Sequence, residues 1–247
     1  MMKTRNQNRN RNRNRNRNRN RNRKEYFSDT PATGDVVYAV DLEQSIRYAL
    51  TVEIPSEQFL DESKMIAIYQ YLEVIIRYLP LRENIIKFLQ ALRDWPVQMN
   101  LRTIKSTDFS EKVEELMAFY NPFDATPEDW KGCKGSKPHF RGYPCSVWTL
   151  FHALTVNAAL KGDPGMMVGG SSSVAKAMVA YIHHFFSCRP CAKHFAAKVN
   201  LLGFLPTTPN DSILWLWQIH NIANKFLKGK AKLFLFISVL HKIHFLT

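Results

Sequence analysis

The residues best suited to chemistry are Cys188 and Cys191, which enclose Arg189 and Pro190. Two thiols separated by two residues close into a disulfide with little backbone movement and reopen as easily. Ahead of them, residues 174–187 place Val174, Met178, Tyr181, Ile182, Phe185 and Phe186 at helical spacing. Behind them, residues 192–199 read as a second helix, with Pro190 suited to its first position, where a missing N–H costs nothing. A cysteine at a helix N-terminus feels the positive end of the macrodipole, and Arg189 adds a full charge beside it. Both favour the thiolate. On these residues alone three readings stay open: a redox dithiol, part of a structural zinc site, or an inert pair.

Other polar residues fall where packing alone would not put them. Trp148, His152, Thr155 and Val156 share one face of a helix that Ser146 can cap and that runs to about residue 160. His194 lies three positions past Cys191 on the same face. In the last helix, 211–227, capped by Asn210 or Asp211, Trp217, His220, Asn221 and Asn224 recur at helical spacing. That stripe is written in hydrogen-bonding residues where a binary pattern demands apolar ones. A buried polar group without a partner costs about 1–3 kcal/mol, so the stripe asks for a polar ligand or for water. Cys133 and Cys145 lie twelve positions apart. They are either two free buried cysteines or a bridge closing a short loop, a constraint of about 3 kcal/mol.

The elements that must position these residues are helices. Residues 41–50, 62–79, 83–95 and 110–120 carry apolar stripes: Leu42, Ile46 and Leu50 in the first, Met65, Ile68, Tyr69, Leu72, Ile75, Ile76 and Leu79 in the second, and Ile86, Phe88, Leu89 and Leu92 in the third. Pro80 and Pro96 are expected to end two of them, and Pro55 to mark a loop. No cysteine or histidine occurs in residues 24–132, so this region reads as scaffold with its charges on a solvated face. A turn-rich stretch, 122–137, sets a boundary near 127, and the Gly- and Ser-rich 162–173 reads as a loop.

The net charge of +13 does not indicate a nucleic-acid binder, because eleven of those charges lie in the Arg-Asn repeat of residues 1–24. Residues 1–26 are a low-complexity tail with nothing to bury. Their phosphate contacts would be weak and sequence-independent, so no specific nucleic-acid partner is expected. No apolar run approaches the roughly 20 residues of a membrane span, and no signal peptide is visible.

Taken together, Trp130…Cys133-x-Gly-Ser-x-Pro-His-Phe-Arg-Gly-Tyr-Pro-Cys145-Ser-x-Trp-x-Leu-Phe-His152, Cys188-Arg-x-Cys191-x-x-His194-Phe and Leu-Trp-x-Trp217-x-x-His220-Asn221-x-x-Asn224 resemble the Erv-type flavin domain of the quiescin sulfhydryl oxidases. The resemblance is dense over 130–229 and looser over 36–126. It implies an all-α fold: a four- or five-helix, FAD-binding bundle at 127–229, preceded by a degenerate Erv-like helical domain at 36–126. It implies an FAD-dependent thiol oxidase that turns two thiols and O₂ into a disulfide and H₂O₂, in the secretory pathway or outside the cell. By that likeness Cys191 faces the isoalloxazine, Cys188 exchanges with an incoming dithiol, and Cys133–Cys145 is a structural disulfide. Arg141, Trp148, His152, His194, Trp217, His220, Asn221 and Asn224 match cofactor-contacting positions, no metal is involved, and a dimer is left open.

The chain also departs from the family pattern. The Arg-Asn tail stands where thioredoxin domains precede the flavin domain, and the apolar 230–247 stands where a polar segment and a further CxxC follow it. Pro190 occupies a position often held by an acid. The expectation is therefore a fragment or a chain with altered ends, one that oxidises small dithiols more readily than reduced proteins. Two competing readings are a zinc-stapled module using Cys188, Cys191, His183 and His194, and a catalytically silent helical scaffold. A second Cys/His pair at finger spacing is missing, which weighs against zinc.

Overall fold

The computed structural model describes residues 36–135, 141–161 and 172–230, with side chains as far as Lys225. The Arg-Asn tail, most of the Gly- and Ser-rich loop and the apolar 231–247 lie outside these residues. So does 136–140, part of the motif around Cys133.

Among the described residues eight helices form the fold. The first four are α1 (Ala39–Tyr48), α2 (Glu62–Tyr78), α3 (Glu83–Gln98) and α4 (Ser106–Tyr120). The second four are α5 (Gly142–Leu160), α6 (Ser173–Phe185), α7 (Arg189–Leu202) and α8 (Pro209–Lys230). The architecture is all-α, apart from a two-residue antiparallel ribbon pairing β1 (Phe59–Leu60) with β2 (Ile104–Lys105). That ribbon is too short for period-two alternation to reveal it in sequence.

Local signals explain most boundaries. Asp61 caps α2 by accepting the Lys64 N–H at 3.1 Å. Leu79, before Pro80, takes the extended conformation that a following proline imposes. Gly203 ends α7 with φ +81°, a left-handed conformation that suits glycine.

The helices expected at 110–120 and 192–199 are longer, Ser106–Tyr120 and Arg189–Leu202, and three further boundaries differ from expectation. Pro96 lies inside α3, which continues to Gln98. Its missing N–H falls in the last turns, where little of the helix remains to disrupt. Ser146 is interior to α5 and bonds back to the Tyr143 carbonyl at 3.0 Å, because the helix begins at Gly142. The cap of α8 is Thr208, whose hydroxyl accepts the Asp211 N–H at 3.1 Å, rather than Asn210 or Asp211.

One continuous core runs through both halves. It contains Leu42 and Ile46 of α1, Leu50 of the turn that follows it, Tyr71, Leu72 and Ile75 of α2, and Phe151, Tyr181, Phe185 and Ile219 of the later helices. In α2 the buried tyrosines are Tyr71 and Tyr78, whereas Tyr69 is 42% exposed. Stacked rings cross the boundary near residue 127: Tyr71 on Tyr181 at 4.5 Å, and Tyr48 on Tyr143 at 4.4 Å. α1 and α2 are thus the wall against which α5 and α6 pack.

Candidate functional site

The dithiol sits at a junction of three elements. Cys188 occupies the cap position of α7, Pro190 lies in its first turn, and Ala192 N–H bonds the Cys188 carbonyl at 2.9 Å. The two sulfurs are bonded, with Cα atoms 5.2 Å apart. Cys188 is half-buried and Cys191 is exposed, so the disulfide can be reached from solvent.

Both residues flanking Cys188 are held by the turn after α1, which continues through Glu53 and a short 3₁₀ segment, Ile54–Ser56. The buried Glu53 carboxylate accepts the Ser187 N–H at 2.6 Å and the Ser187 hydroxyl at 2.9 Å. Arg189 ion-pairs with Glu57. It also donates to the His183 and His184 carbonyls, at 3.3 and 3.2 Å, at the end of α6. Its charge is therefore shared with Glu57 rather than devoted to the thiols. The sequence reading placed the charges of this region on a solvated face, and Glu53 overturns that, being only 2% exposed. Its one sequence signal is a lone carboxylate among Leu50, Val52 and Ile54.

A second cluster lies between α5 and α8. The Trp148 ring stacks on His220 at 4.3 Å with an interplanar angle of 3°. His152 Nε2 lies 3.1 Å from His220 Nδ1. Burial pushes His152 down to about 3, with His220 adding to the effect, and burial pushes His220 down to about 4. Both imidazoles are accordingly neutral at physiological pH. His220 Nε2, Asn224 Oδ1 and Trp215 Nε1 are buried without a hydrogen-bond partner among the described residues. Phe195 of α7 meets Trp148 edge-on at 6.2 Å. Phe195 lies one turn past Cys191, on the same side of α7, and so connects the dithiol to this cluster.

The predicted site residues divide accordingly. Trp148, His152 and His220 come together, Asn224 continues their line one turn along α8, and His194 is half-buried on α7. The buried side of α8 is formed by Trp215, Leu216, Ile219 and His220. Trp217 is 49% exposed and Asn221 half-buried, so the expected core-facing stripe is turned partly outward.

Arg141 serves the other cysteine pair. Its Nη2 donates to the Gly132 carbonyl at 3.0 Å and to Cys145 Sγ at 3.3 Å, while its Nε is buried without a partner among the described residues. Cys133 and Cys145 form a disulfide. Asp41 of α1 holds that loop, accepting the N–H groups of Lys131 at 2.7 Å and Cys133 at 2.8 Å. Burial raises the Asp41 pKa, and these N–H groups and the Arg141 charge oppose the shift. A Cβ at Gly132 would lie 2.8 Å from the Tyr38 ring, so this close approach requires glycine.

The donor set fits a flat, polar cofactor. A buried aromatic–imidazole stack, an unpaired His nitrogen, an unpaired Asn oxygen and a half-exposed tryptophan suit ring faces and heteroatoms together. Among the described residues no group of three or more His, Cys, Asp or Glu side chains could hold a metal ion.

Comparison with known proteins agrees. Residues 34–136 match the family described as flavin adenine dinucleotide (FAD)-dependent sulfhydryl oxidase, and residues 145–239 match the Erv1 / Alr family. The solved sulfhydryl oxidase fragment of human QSOX1 superposes with a TM-score of 0.68 at 30% identity, covering 79% of this chain and 77% of that one. Sulfhydryl oxidase 1 of Homo sapiens is 34% identical over 78% of this chain and 26% of its own length. The Gallus gallus protein of that name is 36% identical over 81% of this chain and 27% of its own. The chain thus spans about a quarter of the length of these curated relatives. The fold and the two family matches place the chain in the class of Erv-type, FAD-dependent sulfhydryl oxidase domains.

Within that class the chain belongs to the quiescin sulfhydryl oxidase family. The second match runs into the apolar C-terminal stretch, reaching residue 239.

Proposed function

We propose that the chain oxidises thiols to disulfides, 2 R–SH + O₂ giving R–S–S–R + H₂O₂, with Cys188 and Cys191 as the redox pair. The observation that carries this is the link through α7. The helix that begins at the dithiol also bears Phe195, which packs against the Trp148–His220 stack.

A substrate thiolate attacks Cys188 Sγ, forms a mixed disulfide and releases Cys191 as a thiolate. The second substrate thiol then attacks the substrate sulfur of that mixed disulfide. Substrate disulfide leaves, and both cysteines are reduced. The positive end of α7 stabilises the thiolates formed here. FAD, when bound, supplies the acceptor for the two electrons of the reduced pair and the site where O₂ is reduced to H₂O₂. Trp148, His152, His194, Trp217, His220, Asn221 and Asn224 would hold it, with Arg141 reaching it from the Cys133–Cys145 loop. The neutral histidines and Asn224 would offer hydrogen bonds to its heteroatoms, while Trp148 and Trp217 would cover flat surface.

Small dithiols and reduced proteins are the substrate class, with small dithiols favoured, and an oxidising compartment of the secretory pathway or cell exterior suits the chemistry. No described helix is long and apolar enough to cross a membrane.

The purified protein should be yellow, should bleach on adding dithiothreitol without air, and should consume oxygen with dithiothreitol. Cys188→Ser or Cys191→Ser should remove that uptake. Colourless protein without oxygen uptake, or full uptake by Cys188→Ser, would overturn the proposal. Equal turnover on dithiothreitol and a reduced protein would overturn the substrate preference alone.

A further inference from the structure

The Cys188–Cys191 turn is gripped from outside its own bundle. The residue before Cys188 is held by Glu53 through two hydrogen bonds, at 2.6 and 2.9 Å. The residue after it is held by Glu57 through an ion pair. Glu57 is itself anchored by Lys64, whose Nζ lies 2.7 Å from Glu57 Oε2. Both carboxylates lie more than 130 residues away in sequence, on the segment that leaves α1.

We propose that Glu53 and Glu57 are positioning residues that keep the Cys188–Cys191 turn in its closed, disulfide form and so set how readily the pair is reduced. This rests on the redox reading of the pair given above.

Two physical effects act in the same direction. Fixing Ser187 and Arg189 leaves Cys188 Sγ little freedom to leave Cys191, so closure of the disulfide costs little chain entropy. Two carboxylates beside the turn also disfavour a thiolate there, and Glu57 occupies the guanidinium that would otherwise stabilise one. A stabilised thiolate makes a dithiol form more favourable and the disulfide more oxidising. Glu53 and Glu57 oppose that drift, while the dipole of α7 favours it.

The test equilibrates the purified protein, without air, in dithiothreitol redox buffers and counts protected cysteines by alkylation and mass. Glu57→Gln, Glu53→Gln and Ser187→Ala are compared with the parent protein, with Ser187→Thr as the variant that restores the hydroxyl. The midpoint of Cys188–Cys191 should move about tenfold toward the dithiol in Glu53→Gln and Glu57→Gln, about 30 mV for a two-electron couple. It should move less in Ser187→Ala and return in Ser187→Thr. The midpoint of Cys133–Cys145 serves as an internal reference and should stay in place.

Midpoints within twofold of the parent in folded Glu57→Gln and Ser187→Ala would overturn the proposal, even if Tm fell. Those two variants keep the test decisive should Glu53→Gln not fold. The measurement needs no oxygen turnover, so a parent protein that takes up no oxygen defeats the proposed function and leaves this result readable.

Discussion

His152 Nε2 and His220 Nδ1 lie 3.1 Å apart in a buried site, which makes them one donor and one acceptor. Two imidazolium ions cannot occupy those positions, since both facing nitrogens would then carry protons. Their folded pKa values, about 3 and about 4, lie below the ordinary 6.5. The unfolded chain therefore binds more protons as pH falls below 6.5, and stability must drop with it. The contribution is complete above the unfolded pKa and lost on approaching the folded one. The buried carboxylates Asp41 and Glu53, raised by burial, act in the opposite sense nearer the carboxylate range. Unfolding free energies from urea titrations at pH 7 to 5 should fall, by on the order of 1 kcal/mol per pH unit. In His152→Phe the slope should lessen.

Removing His220 tests the other end of the pair. His220→Ala leaves His152 Nε2 without its partner and strips the face of Trp148, costing about 1–3 kcal/mol. Nε2 of His220, unpaired among the described residues, is also among the atoms proposed to meet the flavin. The variant should purify with less than a tenth of the parent's flavin absorbance per mole while keeping its helical circular dichroism. Full flavin content would remove His220 from the site.

Asp41 should matter for stability more than for turnover. Its carboxylate accepts two backbone N–H groups of the Cys133 loop, and Asp41→Ala would leave them buried and unpaired. The loss should be about 3 kcal/mol in urea unfolding, since hydrogen bonds to charged groups are the stronger ones. Gly132→Ala, which pushes a methyl into Tyr38, should cost about 1–3 kcal/mol at the same loop. A loss below 0.5 kcal/mol in both, by order of magnitude, would mean that the loop is held elsewhere.

Asp41, Glu53 and Glu57 mark where reading the chain by itself stops. Helical spacing reveals α1, α2, α6 and the dithiol between α6 and α7, because those signals repeat locally. Trp148, His152 and His220 stand out for a related reason, being polar or aromatic groups on faces that packing would make apolar. Nothing local says that Glu53 reaches Ser187, 134 residues on, or that Asp41 reaches Cys133, 92 residues on. An acid on a helix is usually solvated, and only the docked first region turns these three inward. The turn of α8 eluded the periodicity argument because Trp215 and Trp217 differ by two positions, and either could head a buried stripe. Packing chose Trp215, and Trp217 is left half-exposed.

The two disulfides should separate stability from chemistry. Cys133–Cys145, with a sequence separation of 12, is held by Asp41 and by Arg141. Cys133→Ser/Cys145→Ser should lower unfolding free energy by about 3 kcal/mol, the chain-entropy expectation for such a loop. Turnover below the new Tm should fall no more than about threefold, a change of less than 1 kcal/mol in the barrier. Cys188–Cys191 spans only 3 residues and constrains little of the unfolded chain. Cys188→Ser/Cys191→Ser should therefore shift the urea midpoint slightly and abolish oxygen uptake with dithiothreitol. Calorimetry beside an oxygen electrode reads both quantities on the same three proteins, the parent and the two double variants. Equal losses of turnover from the two double variants would contradict the division of labour, because it would place the Cys133 loop in the path of the electrons.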